Sequence, residues 1–401
     1  MSGGVKGVIR EIRSSQRPCD FLVVLLVLVL AIFGIVMVFS ASYYKSINDT
    51  GSAYTYLIKQ FTFVTIGCLF MWLFSRVDYH RFRKYGPVLV VVGLVLLGLI
   101  FTPLGLKVNG ATRWLNVGFT IMPGELAKPI LILFTAGVMS SNDTRRDRWK
   151  VWIMLIIISI VYGVLIFKQP NLSTAITVVG IVGCMMLLGG FSLWITGGIL
   201  VTGVIAMGIL STTGTYWASR IVSFMDPFAD PKGDGFQAAQ SLLALGTGGL
   251  KGLGLGKSVQ KTLYLPEPQN DFILAIIGEE LGLIRVILLL VVFLVLIWRC
   301  FLIAMNARDK YGMYVASGIT LMIGLQVVLN VAVVTSSMPP TGIALPFVGY
   351  GGNTIVIFLA CMGILLNISR TSRLKPLYKP KPKAQESRVE KVRRKQRENP
   401  L

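Results

Sequence analysis

Charge is scarce in this 401-residue chain: Asp, Glu, Lys and Arg supply only 14% of it, while 54% is hydrophobic. Soluble domains use roughly 45 to 50% apolar and about 25% charged residues, so the deficit excludes an ordinary water-soluble fold. Cysteine is scarce as well. Cys68, Cys184 and Cys361 fall within apolar runs and Cys19 and Cys300 at their edges, a distribution that supports neither a disulfide framework nor a metal site. No internal repeat is visible, which argues against a repeat-built transporter.

What the chain has in abundance is apolar runs of about 20 residues, the length an approximately 30 Å hydrocarbon layer demands. They predict an all-α polytopic membrane protein with ten spans, at 20–41, 56–75, 85–103, 121–140, 151–168, 172–189, 192–212, 271–298, 312–336 and 344–369. The first run is longer than a signal-peptide core and reads as an uncleaved anchor. The net charge of +21 is distributed unevenly: with the N-terminus placed inside, inner segments carry 27 of the 39 Lys and Arg. That asymmetry follows the positive-inside rule and predicts that both termini are cytoplasmic. It also assigns the basicity to the membrane surface, so nucleic acid is not expected as a partner.

This topology divides the chain into a basic N-terminus (1–19), a membrane domain (20–370) and a basic tail (371–401) too poor in apolar residues to fold, expected to lie near anionic headgroups. Between the seventh and eighth spans lies one long extracellular loop, about 213–270, whose apolar content and "QAAQSLLAL" stretch predict a partly helical, ordered segment. A shorter polar outer loop, "LGLKVNGATRWLNVG", joins spans three and four, and "SSMPPTG" precedes the last span.

Several polar groups sit where a bilayer makes them costly. Asp271 opens the eighth span, either as a helix cap or as a general base near the interface. Glu279 and Glu280 follow on the same predicted helix, about 12 to 13.5 Å deeper. That is farther than the roughly 5 to 9.5 Å of a glycosidase carboxylate pair, so they read as structural hydrogen-bonding groups. Arg285 lies about 21 Å below Asp271 on the same helix and calls for a carboxylate on another helix or for the inner headgroups. Glu125 and Lys128, three apart in "PGELAKP", share one face. They form either a self-satisfying ion pair or a carboxylate that positions a lysine toward an anionic ligand. Arg113 and Trp114 in "NGATRW" suit a phosphate and a sugar face, or equally an interfacial anchor. In the long loop, Arg220, Lys251, Lys257 and Lys261 are outer cations. The glycines at 246, 248, 249, 252, 254 and 256 read as flexible turns or as an anion nest.

In their order, "NGATRW", "PGELAKP", "QPNLSTA", "GFQAAQSLLALGTGGLKGLGLGKSVQKTLYLPEPQNDFILAIIGEELG" and "GIALPFVGYGGN" make the chain resemble the SEDS family (shape, elongation, division and sporulation) over about residues 20–370. These are polytopic bacterial peptidoglycan glycosyltransferases that include FtsW, RodA and SpoVE, and "SVQK" with "LPEPQNDF" looks most like the division and sporulation branches. The resemblance places the family's catalytic aspartate on Asp271. It places polar cavity residues on Arg113, Glu125, Lys128, Gln237 and Gln240. It implies polymerisation of lipid II at the outer face of the cytoplasmic membrane, with Lys257 or Lys261 helping Arg113 and Lys128 to stabilise the leaving group. A class B penicillin-binding protein and other division or sporulation membrane proteins are implied as partners. A divalent cation, Mg²⁺ or Mn²⁺, bridging Asp271 and the pyrophosphate is compatible with this chemistry, though no ligand cluster calls for one. The rival readings are a lipid II flippase, which predicts charge along the full membrane depth, and a non-catalytic scaffold. Gly124, Asn171, Gln269, Arg285 and Asn353 depart from the residues usual in the family.

Overall fold

A computed structural model describes residues 19–108, 111–116, 118, 120–141, 148–194, 197–198, 224, 226–228, 233, 235–340 and 342–372. Most of the seventh expected span, Arg220 and nearly all of the basic tail and N-terminus lie outside them.

The described chain is a helical bundle: α1 (Phe21–Thr50), α2 (Thr55–Phe74), α3 (His80–Leu99), α4 (Pro123–Ser141), α5 (Arg148–Phe167), α6 (Leu172–Leu188), α7 (Phe236–Gly248), α8 (Ile273–Leu281), α9 (Leu283–Met305), α10 (Lys310–Val334) and α11 (Asn353–Thr371). Seven of these, α1, α2, α3, α5, α9, α10 and α11, are long and apolar enough to cross a membrane. The expectation of an all-α chain needs one amendment. The loop between α3 and α4 forms a small antiparallel sheet, β1 (Gly105–Val108), β2 (Ala111–Asn116) and β3 (Thr120–Ile121), in the order β1-β2-β3.

Helix ends follow local chemistry. Asp20 caps α1 by accepting from the Val23 amide at 3.3 Å, and Gly51 closes it at φ 71°. Asn171 caps α6 through the Thr174 amide, and Asp309 caps α10 through the Gly312 amide at 2.8 Å. Between helices in a membrane, association depends on close packing rather than on a hydrophobic drive. Gly67 and Gly363 supply it where α2 crosses α11: a Cβ on Gly363 would lie 2.5 Å from the Met71 carbonyl oxygen.

The bundle has two chemically different ends. At one, Asp20 pairs with Arg299 at 2.7 Å, the Asp20 amide donates to Ser369 Oγ, Asn367 Nδ2 donates to the Ser75 carbonyl, and Arg83 reaches Ser141. These contacts gather the start of α1, the ends of α2, α4, α9 and α11, and the start of α3. At the other end lie the sheet, α7, α8 and the irregular stretch 335–352.

The eighth span is the largest departure from the sequence expectation. It is not one helix over 271–298. Gly282, at φ 81° and ψ 169°, ends α8 after nine residues and starts α9 in a new direction. The left-handed conformation favours glycine, and the space forbids a side chain: a Cβ here would meet the Gly252 nitrogen at 2.4 Å. Arg285 therefore stands in the first turn of α9 rather than deep in the membrane. It has no need of a carboxylate, since Nη1 donates to the carbonyls of Leu281 and Lys251, both at 2.7 Å.

The glycine-rich stretch is packing material, not an anion nest. Its backbone takes up the carbonyls at the end of α8, with Leu253 N donating to Glu279 O and Gly254 N to Glu280 O, both at 2.9 Å. A helix terminus left without such donors would bury unsatisfied groups. A Cβ at Gly248 would lie 2.1 Å from the Gly278 carbonyl oxygen, so α7 and α8 touch backbone to backbone.

Candidate functional site

Asp271 sits in a turn one residue before Phe272, the N-cap of α8, and is half-buried. What fixes it is its main chain. Its carbonyl accepts from Asn330 Nδ2 at 2.8 Å, and the preceding Gln269 carbonyl accepts from the Tyr350 amide at 2.8 Å. The turn itself is organised by Glu267, which has φ 50°, accepts from Gln269 Nε2 and Asn270 Nδ2, and pairs with Lys45 of α1.

The Asp271 carboxylate shares a small space with Arg113. One point, the position a Cβ would take on Gly342, is 3.4 Å from Asp271 Oδ2 and 3.4 Å from Arg113 Nη1. The two charged groups are thus no farther apart than twice that distance, with a glycine at φ 80° between them. Arg113 projects from β2 and donates through Nη2 to the Pro170 carbonyl at the α5–α6 turn, which orients the guanidinium. Trp114, next on β2, is half-buried and pairs in register with Leu106.

Glu125 and Lys128 form the expected i,i+3 pair on α4, at 2.7 Å and nearly closed to solvent. The lysine has a further partner: Nζ also donates to Gln326 Oε1 at 2.9 Å, and Gln326 Nε2 donates to the Ala344 carbonyl at 3.1 Å. Asn330, one turn along α10, donates to the Ile343 carbonyl at 2.7 Å as well as to Asp271. Gln60 of α2 donates to the Gly349 carbonyl at 3.5 Å. Three amide side chains thus satisfy the irregular 342–349 backbone, which is tolerated at membrane depth only when its polar groups find partners inside the protein. Sequence reasoning passed over Gln60, Gln326 and Asn330, although an amide inside an apolar span was a usable signal.

The other expected site residues fall elsewhere. Lys261 is not an open cation. It is buried, with Nζ 2.7 Å from Glu280 Oε1 and 3.0 Å from Ser40 Oγ. Glu279 and Glu280, both 0% exposed, have the structural role expected of them. Glu279 accepts from Ser258 Oγ and the Val259 amide at 2.9 Å, and Glu280 from Ser40 Oγ at 2.8 Å. Together they lash the 258–261 loop to α8 and α1. Lys257 is exposed. Gln237 and Gln240 lie three apart on α7, half-buried and without a side-chain hydrogen bond among the described residues. Asn353 donates to the Thr120 carbonyl and joins α11 to the sheet. A Cβ on Gly124 would lie 3.7 Å from Asn171 Nδ2.

Among the described residues, no group of three or more His, Cys, Asp or Glu is placed to hold a metal. Asp271 alone offers one carboxylate, so a divalent cation here would depend on oxygen ligands from a bound phosphate, as Mg²⁺ sites commonly do.

These features define a polytopic helical membrane protein with a carboxylate and a guanidinium facing each other at one end of the bundle. The chain belongs to the family of FtsW, RodA and SpoVE, described as cell cycle protein, whose model matches residues 20–374. A probable peptidoglycan glycosyltransferase FtsW of Trichlorobacter lovleyi is 39% identical over 91% of this chain and 97% of its own length. Stage V sporulation protein E of Bacillus subtilis is 40% identical over 88% and 98%. Among solved structures, the rod shape determining protein RodA of Thermus thermophilus superposes with a TM-score of 0.67 at 25% identity, covering 89% of this chain and 98% of that one. A chain from work described as "Structural coordination of polymerization and crosslinking by a peptidoglycan synthase complex" gives a TM-score of 0.69 at 25% identity, over 88% and 98%.

Proposed function

We propose that this protein is a peptidoglycan glycosyltransferase of the bacterial cytoplasmic membrane, polymerising lipid II into glycan strands for cell division or sporulation. The observation that carries the reading is the Asp271 carboxylate beside the Arg113 guanidinium at Gly342, at the end of the bundle opposite the Asp20–Arg299 pair. Asp271 takes the proton of the acceptor's sugar hydroxyl as its oxygen attacks the donor's anomeric carbon. The new glycosidic bond forms with inversion. The bond to the pyrophosphate breaks, and undecaprenyl pyrophosphate departs with the electron pair. Arg113 stabilises the charge that develops on it. Lys128, oriented by Glu125 and Gln326, is the second cation of the site, its charge partly offset by Glu125, and exposed Lys257 is available at the rim. Lys261 receives no substrate role, because its ammonium bonds Glu280 and Ser40 rather than a group that holds the 342–349 backbone beside Asp271 and Arg113.

Ten spans with both termini cytoplasmic remain the topology that best accommodates this reading. α6 ends against Met139 and Trp152, at the Asp20 end, because a Cβ on Gly189 would meet both side chains. α7 is held at the Asp271 end by Ser241, which donates to the Val334 carbonyl at 2.8 Å. An odd number of crossings separates them. The expected span at 192–212, mostly outside the described residues, supplies one and leaves the 213–270 loop extracellular. The membrane domain is then 20–370, flanked by the basic N-terminus and tail.

A flippase is less well supported now that Arg285 lies at the start of α9. With it goes the one charge that had indicated a polar path through the depth of the bilayer. The likeness to a chain of a peptidoglycan synthase complex supports a class B penicillin-binding protein as partner. The direct test gives purified protein, with its cognate penicillin-binding protein, labelled lipid II in proteoliposomes. Glycan polymer is the expected product. Movement of lipid II between leaflets with no polymer formed would overturn the enzyme reading.

A further inference from the structure

We propose that Gln326 and Asn330 of α10 are positioning residues that set the distance between the base and the cation of this site. The inference rests on Asp271 and Lys128 acting as described above. The two amides are four residues apart on one face of α10, a rise of about 6 Å. Asn330 is 0% exposed and Gln326 1% exposed, so neither can exchange its bonds with water. Asn330 uses both hydrogens of a single Nδ2, one on the Asp271 carbonyl at 2.8 Å and one on the Ile343 carbonyl at 2.7 Å. Gln326 accepts from Lys128 Nζ at 2.9 Å and donates to the Ala344 carbonyl at 3.1 Å.

Through these four bonds one rigid helix holds the Lys128 side chain of α4 together with two stretches that have no regular structure of their own. They are the turn carrying Asp271 and the two residues that follow Gly342, over which Asp271 and Arg113 meet. Neither the Asp271 nor the Ile343 carbonyl belongs to a helix, so the amide supplies the donor that a helical ladder would otherwise give. Amides that merely satisfied a loop would need no link to the residues of the site: Gln326 accepts from the Lys128 ammonium itself, and Asn330 holds the main-chain carbonyl of the residue that bears the carboxylate.

A misplacement of about 1 Å at a reacting group can cost on the order of 100-fold in rate. Asn330→Ala in the full-length protein, assayed with its penicillin-binding protein on labelled lipid II, is therefore expected to lower kcat roughly 10- to 100-fold with KM within about twofold. The same substitution in an Asp271→Asn background, followed by single-turnover measurements, is expected to cost less than about twofold, because the group it positions is gone. Wild-type kcat in Asn330→Ala, equal fold losses in both backgrounds, or a raised KM with kcat intact would each overturn the proposal. If Asn330→Ala does not fold, Asn330→Ser, which keeps one donor, goes through the same cycle with a smaller expected loss and the same overturning results. Wild-type turnover in Asp271→Asn alone would instead refute the base itself, so the two failures are distinguishable.

Discussion

The two ends of the bundle solve the problem of buried polarity in opposite ways. At the Asp20 end, charges close locally: Asp20 and Asp309 are helix caps, and Asp20 is also the partner of Arg299. Backbone there stays regular. At the Asp271 end, Asp271 stands outside its helix cap, Gln60, Gln326 and Asn330 serve the carbonyls of irregular segments where Asn367 serves the Ser75 carbonyl at the other end, and the chain is strained. All five described non-glycine residues with positive φ, Pro170, Leu263, Glu267, Ser336 and Phe347, lie at this end. Strained backbone persists where surroundings over-determine it, and it tends to cluster at working sites. One end of this molecule is built for stability and the other for a geometry.

That contrast can be broken from either side. Arg299→Ala leaves Asp20 buried without its partner, and losing one member of a buried pair typically costs about 3 to 5 kcal/mol. The expected result in detergent is a large drop in the thermal unfolding temperature, with turnover per folded molecule preserved. Lys261→Ala should cost a similar amount by exposing Glu280 to the same penalty, although Ser40 and the Ser258 amide remain as its partners. Because α8 follows directly from Asp271, this variant is expected to lose polymerisation as well. Equal activity in the two variants would erase the distinction between the ends. The smallest effect is expected at Leu263, exposed and at φ 71°. Left-handed backbone costs an L-residue roughly 1 to 2 kcal/mol, while glycine's extra unfolded-state entropy offsets part of any gain. Leu263→Gly is accordingly expected to be neutral or stabilising by less than about 1 kcal/mol, measured by the same thermal unfolding; a clear loss would contradict a backbone cost at this position.

How much of this was legible in the sequence depended on whether a feature was local. Glu125 and Lys128 could be paired on paper because three residues along a helix fix their geometry. The membrane class followed from run length alone, as did six of the seven helices long enough to cross a membrane; the seventh, α9, was expected to begin at 271. Glu279 and Glu280 could be excluded as a catalytic pair with Asp271 from helical rise. Gly282 could not be read as a break, since a lone glycine in an apolar run is compatible with a continuous helix. What ends α8 there is the close approach of Gly252, 30 positions earlier. Arg285 and Lys261 were misjudged for the same reason: their partners, the Leu281 and Lys251 carbonyls and Glu280, became adjacent only once that break and the folded 249–261 loop were in place. Gln326 and Asn330 stayed hidden because amides interrupt an apolar pattern only mildly, and the carbonyls that they serve come from distant loops.

The central claim is that Asp271 is the base of a polymerising enzyme, and the comparison that tests it most directly is lipid II polymerisation by wild type and Asp271→Asn, each purified with the same penicillin-binding protein. A general base typically contributes about 10² to 10⁴ in rate. The account predicts polymer from wild type, a loss of that order in the variant, and unchanged co-purification of the partner. Equal polymer from both proteins would contradict it.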